Sequence, residues 1–303
     1  MNRLNSTLSI TLNNVKLQAA EISLKGDRLF ISNIGEVYFN EEIDFSVDKE
    51  TKMLSTLLLA YEEFCIKNTV SSSSASIILP QELFISASFV AELSLLHTDL
   101  IDEFKWRLAI LYPFLNWNDY VISYCDAGVT ANEKQFNAIV FALNRKYIKI
   151  ANDFCSKTNL KLNFLDHSHL AANNLQKVNP YYDSEARISF YLNQKSLSLL
   201  VSKHNNPLKY QDIPITNFNQ IPELINGKII ELKDAYSNLN DAVLFGDSSS
   251  HTIAKVLTDL TGINFKLINP FIHFQADEKI LVNKYFTETN HLFSASVGAA
   301  LRV

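Results

Sequence analysis

The chain writes the same order of elements twice: short strands in succession, then an amphipathic helix, then a buried strand. From Leu8, LSITLNNVKLQAAEISLKGDRLFISNI divides into short alternating segments, with Asn13-Asn14 at one turn and Gly26-Asp27 at the next. A helix follows, because Met53, Leu54, Leu57, Leu58, Tyr61, Phe64 and Cys65 recur on one face of a 3.6-residue period. SIILP at 76–80 then reads as a buried strand. The second half repeats this with ARISFYL, SLSLLVSK and PLKYQDIPI, turns at Asn193-Gln194 and Asn205-Asn206, a helix from Ile221 to about Leu239, and the strand AVLFG. A repeated unit of this kind predicts a duplicated α/β architecture of mixed sheets rather than one continuous sheet.

The symmetry continues. After AVLFG, Ser248 to Ser250 are placed to cap a helix carrying Ile253, Val256, Leu257 and Leu260, and Gly262 to end it before the strand NFKLINP. The first half answers with the strand QFNAIVFAL, Asn144 as cap, a helix through Tyr147, Ile150, Ala151 and Phe154, and the strand LKLNFLD. Residues 81–134 have no counterpart in the second half. They hold the strand FISASFVAEL, a helix from Thr98 with Asp99, Asp102 and Glu103 near its start, and the strand DYVISYCDA, which together read as an inserted α/β subdomain. The expected domains are a first lobe from 1–80 and 135–180, the insert at 81–134, and a second lobe at 181–303 whose last helix, about 290–302, returns to the first lobe.

Composition narrows the function. With 47% hydrophobic and 19% charged residues the chain is an ordinary folding sequence, and a net charge of -5 provides no field to attract nucleic acid or anionic lipid. Cys65, Cys125 and Cys155 are odd in number and far apart, so they read as buried apolar residues, not as a disulfide or metal framework. No signal peptide is expected from MNRLNSTLSITLNN, and runs such as TLLLA fall far below the roughly 18 to 20 residues that span a bilayer. A cytoplasmic protein without direct membrane insertion is the expectation.

Other clusters have plain structural readings. Asp166-His167-Ser168-His169 has its histidines at i, i+2 and not the i, i+4 of a helical zinc pair, so Asp166 or Ser168 is expected to cap a helix and no metal site is predicted. Phe245 to Ser249 is not a GxSxG elbow. Trp106, between Lys105 and Arg107, is expected to be half-buried with solvated charges beside it.

Several stretches carry a family resemblance. HTDLIDEFKWRLAILYPF, FNAIVFALNRKYIKIANDFCSKTNLKLNFLDHSHLAANNL, VLFGDSSSHTIAKVLTDLTGINFKLINPF and SASVGAALR, in that order, resemble the actin/Hsp70/hexokinase superfamily and its PilM-like branch of type IV pilus assembly proteins. The resemblance implies a duplicated ribonuclease H-like, actin-like ATPase fold with two lobes. In such folds two hairpin loops and a glycine-bearing strand-to-helix turn hold ATP and magnesium, with an acid and glycines in each hairpin. Here Thr11 or Leu12 stands at the first acid position and Tyr191 near the second, while Asn13 and Asn193 stand near the glycines. Asn can keep a left-handed backbone that glycine once supplied. The third motif retains Gly246, followed by Asp247 and Ser248.

The resemblance thus implies Asn13, Asn193, Gly246, Asp247 and Ser248 as vestigial nucleotide-contact residues, and no cofactor is expected. The leading expectation is a catalytically inactive scaffold or adaptor for a protein or peptide partner. In proteins resembling PilM a groove between the first lobe and the insert takes a short cytoplasmic segment of a membrane-assembly component, which here points to the region of Trp106 and Tyr112. The alternative is an ATP-dependent ATPase or sugar-kinase-like phosphotransferase using displaced acids such as Asp166 or Asp247 with magnesium.

Overall fold

Strand β1 (Ser6–Leu12) alternates Leu8, Ile10 and Leu12 with Thr7, Ser9 and Thr11, and both sets are buried, so it is covered on both faces. A computed structural model describes residues 6–26, 28–178, 186–203, 206–236, 239–272 and 274–302. The expected turns Gly26-Asp27 and Asn205-Asn206 each include a residue, Asp27 or Asn205, outside the described residues. The chain forms two compact units: Met1–Leu83, Lys146–Asn179 and Ile268–Val303 in one, Phe84–Arg145 and Pro180–Leu267 in the other.

In the first unit β1 is joined by β2 (Lys16–Lys25), β3 (Arg28–Tyr38) and, after helix α1 (Glu50–Lys67), by β4 (Ser74–Leu79). The full sheet runs β14-β3-β2-β1-β4-β8, with β8 at Lys161–His167 and the short β14 at Gln275–Ala276. Strands β1, β2 and β3 are antiparallel; β4 and β8 add in parallel. One face carries Ile10, Leu12, Ile77 and Leu79, which meet Met53 and Leu57 of α1 and Ile150 and Phe154 of α3 (Arg145–Lys157) around a small apolar cavity.

The other face of β1 is small and polar. It receives α9 (Ser294–Ala300), whose sequence SASVGAA is buried at every position and which packs on α4 (Ser168–Asn173). A Cβ on Gly298 would lie 2.1 Å from the Ala171 carbonyl oxygen, so this close helix contact requires glycine. Helices α7 (Glu278–Leu281) and α8 (Lys284–Glu288) precede it.

The second unit contains the sheet β11-β10-β9-β12-β13: β9 (Arg187–Leu192), β10 (Ser196–Lys203), β11 (Asn206–Pro214), β12 (Asp241–Phe245) and β13 (Asn264–Lys266). Ile188, Phe190, Leu197 and Leu199 pack with Ile225 and Ile229 of α5 (Ile221–Ala235) and Leu257 of α6 (His251–Thr261). Gly262, at φ 68, ends α6 as the sequence predicts.

A three-stranded antiparallel sheet, β5-β7-β6, completes this unit, with β5 at Phe84–Glu92, β6 at Tyr120–Val129 and β7 at Gln135–Asn144. Here the sequence expectation needs correction: QFNAIVFAL does not join the first sheet but is the central strand of the inserted one. Its Phe136, Ala138, Val140 and Ala142 form the floor on which Leu100, Phe104 and Leu108 of α2 (His97–Leu111) are buried. Strand β11 adjoins this sheet, where Phe141 and Tyr210 meet edge to face at 5.0 Å and the Tyr210 hydroxyl donates to Asp212 at 2.6 Å. Burial holds the Asp212 carboxyl above its usual range despite bonds from Ser86 and Tyr210. Among the described residues no helix is long and apolar enough to cross a membrane.

Candidate functional site

The first hairpin turns through Asn13, Asn14 and Val15. The Asn13 side-chain oxygen accepts from the backbone N–H of Val15 at 2.9 Å and of Lys16 at 2.7 Å, while the Asn13 N–H donates to the Lys16 carbonyl at 3.1 Å. This is an Asx-type turn, in which a carboxamide takes up amides that would otherwise point outward. Asn13 and Asn193 do not adopt the left-handed backbone expected of them; among the described non-glycine residues the positive φ belongs to Asn159. A side-chain acceptor tightens the turn, so no left-handed residue is needed.

The turn is also tied from outside. The Asn14 and Val15 carbonyls accept from the N–H groups of Ile43 at 2.7 Å and Phe39 at 2.8 Å. Beside it, the Lys16 ammonium pairs with Glu36 at 2.8 Å with both side chains buried, and Gln18 donates to the same carboxylate oxygen at 2.9 Å. The Tyr285 hydroxyl takes the other oxygen. Burial alone would raise the Glu36 pKa, but the Lys16 charge and these hydrogen bonds bring it below the usual carboxylate value.

Thr11, at the first expected acid position, accepts from the Ser296 hydroxyl at 2.9 Å, and Ser9 donates to the Ser296 carbonyl. Leu12 lies on the opposite, apolar face. Polar side chains on this face of β1 therefore fasten α9.

Asp166 ends β8 with little exposure. One carboxylate oxygen accepts the His167 N–H at 2.8 Å, and the other pairs with Arg302 at 2.5 Å, whose guanidinium lies 5.2 Å from the Phe164 ring centre. The cap of α4 is His167, not Asp166 or Ser168: its Nδ1 accepts the His169 N–H at 3.1 Å. Asp166 is held instead by Arg302, a partner 136 residues away that local sequence could not reveal. A nitrogen that accepts cannot carry a proton, and burial lowers the His167 pKa to about 3. His169 is also pushed well below its normal value, first by burial and then by His167.

In the second unit, Asn193, Gly246, Asp247 and Ser248 do come together. The Asn193 N–H donates to the Ser196 carbonyl at 2.9 Å, and its side-chain oxygen faces the Asp247 N–H at 3.4 Å. Gly246 has φ +101, and a Cβ there would lie 2.2 Å from the Leu192 carbonyl oxygen. The Ser248 N–H reaches that same oxygen at 3.1 Å, so the turn after β12 is clipped to the end of β9. Ser249 donates to the Gly246 carbonyl at 2.7 Å, and Ser250, not Ser248, caps α6 through the Ile253 N–H at 3.2 Å. Backbone packing alone requires glycine at 246.

The insert differs from expectation at its aromatic residues. Trp106 is 65% exposed rather than half-buried, and Trp117 is the buried indole. Lys105 and Arg107 are not simply solvated. Lys105 donates to Asn118 at 2.9 Å, while Arg107 donates to the Val90 carbonyl at 2.7 Å and to Glu103 and lies over Phe89. Strands β5 and β6 are the edges of their sheet.

No family model matches the chain, and no curated protein matches it by sequence. Solved structures do match. The structure described as the PilM-PilN type IV pilus biogenesis complex is similar with a TM-score of 0.80 at 14% identity, over 98% of each chain. The ethanolamine utilization protein EutJ from Carboxydothermus hydrogenoformans aligns with a TM-score of 0.54 at 8% identity, over 99% of this chain and 90% of that one. A Bacteroides thetaiotaomicron protein with actin-like ATPase fold and unknown function gives 0.50 at 10% identity, over 88% and 91%. At such identities the likeness carries the fold, and that fold is the actin-like ATPase fold.

Proposed function

We propose that this actin-fold protein is a catalytically inactive, cytoplasmic adaptor that binds a protein or peptide partner and not a nucleotide. The observation that carries this reading is the first hairpin, where the Asn13 carboxamide already occupies the Val15 and Lys16 amides. A phosphate oxygen seeking those amides would have to displace it, and the nearby Lys16 charge is committed to Glu36. Asp166, one of the two acids that the sequence offers to magnesium beside Asp247, is paired with Arg302. The first hairpin and Asp166 are thus poorly suited to magnesium-ATP.

A partner is the remaining use of the fold. The PilM-PilN structure is of a type IV pilus biogenesis complex, and a similar role here would pair this chain with a component of such an assembly. The edges β5 and β6 could accept an added strand. One observation favours a second reading, a nucleotide-binding protein: Asn193, Gly246, Asp247 and Ser248 do converge on one turn.

Melting with magnesium-ATP separates the two. Ligand at 100 times its Kd stabilises by about 2.7 kcal/mol, which is about 4 °C for a chain of 303 residues. The adaptor reading expects no rise at millimolar magnesium-ATP; a rise of that size would replace it with the nucleotide-binding one.

A further inference from the structure

We infer that the outward face of α2 is a docking surface for a basic amphipathic helix of a protein partner, a surface that deepens and rests on the adaptor reading. The face is a stripe at helical spacing: Asp99, Asp102, Trp106 and Ile110, at i, i+3, i+7 and i+11. At a rise of 1.5 Å per residue it is about 16 Å long, or three turns of a partner helix.

Its apolar end is unusually bare. Trp106 is 65% exposed, Ile110 59%, Leu111 54%, and Phe114, just past the helix, 81%. Neighbouring large apolar side chains left to water in this way mark interaction surfaces. The inward face of the same helix already has its core in Leu100, Phe104 and Leu108, so nothing within the fold requires the outer stripe.

Charge decides the occupant. Of the cations of α2, Arg107 is paired with Glu103 and Lys105 donates to the neutral Asn118 carboxamide, whereas the carboxylates of Asp99 and Asp102 make no hydrogen bond or ion pair among the described residues, leaving two acids against the one Lys105 charge. The stripe therefore has net negative charge at one end and apolar surface at the other. A second copy of this chain fits badly: parallel pairing sets acid on acid, and antiparallel pairing buries the acids against Ile110 and Phe114. An anionic lipid surface is repelled by the same carboxylates and by the net charge of -5. A helix with Lys or Arg at one end of an apolar i, i+4 stripe satisfies both ends.

The chain contains its own reporter. It has two Trp residues; Trp117 is buried, so a blue shift of Trp emission on docking would report Trp106. The full chain is titrated with an amphipathic Leu/Lys peptide of about 14 residues, long enough to pair with the stripe. A Leu/Glu peptide of the same pattern and vesicles containing phosphatidylglycerol are run alongside. The expected result is a saturable blue shift with Leu/Lys only, absent in Trp106→Phe, and about tenfold weaker binding in Asp99→Lys/Asp102→Lys.

Equal binding of Leu/Glu, or unchanged affinity after charge reversal, overturns the inference. So does a response to vesicles in place of the peptide, or a concentration-dependent dimer lost in Ile110→Ser. All these positions are exposed, and unchanged circular dichroism establishes that each variant folds. ATP turnover, assayed on the same preparation, would defeat the adaptor reading while leaving the peptide result to stand or fall by itself.

Discussion

Replacing Gly246 by Ala tests whether that glycine serves the fold. At φ +101 any side chain is strained, at a cost of about 1 to 3 kcal/mol. The added Cβ would also sit 2.2 Å from the Leu192 carbonyl oxygen and 2.7 Å from its nitrogen, so the turn must move away from β9. That movement breaks the 3.1 Å bond from the Ser248 N–H to Leu192, worth about 0.5 to 1.5 kcal/mol. Together the loss is about 2 to 4 kcal/mol. Gly262→Ala is the control, because Gly262 has φ +68 and nothing within 4 Å of an added Cβ, leaving only the backbone strain. Urea unfolding of the two variants, followed by far-ultraviolet circular dichroism, should place Gly246→Ala clearly below Gly262→Ala. Equal midpoints would show that contact with Leu192 does not demand glycine at 246.

Two further outcomes follow from the buried polar groups of the first unit. Arg302→Ala leaves the Asp166 carboxylate, 6% exposed, without its cation, and should cost about 1 kcal/mol because the arginine itself is half in water; Asp166→Asn added to it should recover most of the loss, measured by the same unfolding. The His167 pKa falls from 6.5 to about 3 on folding, so its contribution is complete above pH 6.5 and is lost as pH falls towards 3. At about 1.4 kcal/mol per pH unit that is about 2 kcal/mol by pH 5. His167→Asn, which can still cap α4, should flatten the stability profile between pH 6.5 and 5 by about one proton, and an unchanged slope would contradict the neutral buried imidazole.

The succession of elements was legible because its signals are local. Alternation wrote β1 and β9, a 3.6-residue stripe wrote α1 and α2, and Gly262 marked the end of α6. Trp106 could also have been placed: with Leu100, Phe104 and Leu108 inward, a residue two positions from Phe104 points away from the core. Pairings between distant segments were not legible. Nothing in QFNAIVFAL says whether it joins β4 or lies between β5 and β6, since a fully buried strand has the same apolar text in either sheet. Arg302 lies far from Asp166 in sequence, and the Asn13 carboxamide could be read as a turn former or a glycine substitute with equal ease. Gly246 was visible, but the Leu192 backbone that demands it was not.

The Asn13 carboxamide holds the amides of Val15 and Lys16, and nitrogen-15 NMR reads them individually. With magnesium-ATP added to about 5 mM, both resonances should stay in place and both amides should remain protected from exchange by the Asn13 oxygen. Saturable shifts centred on Val15 and Lys16 would show that the loop opens to receive phosphate and that the protein binds nucleotide there.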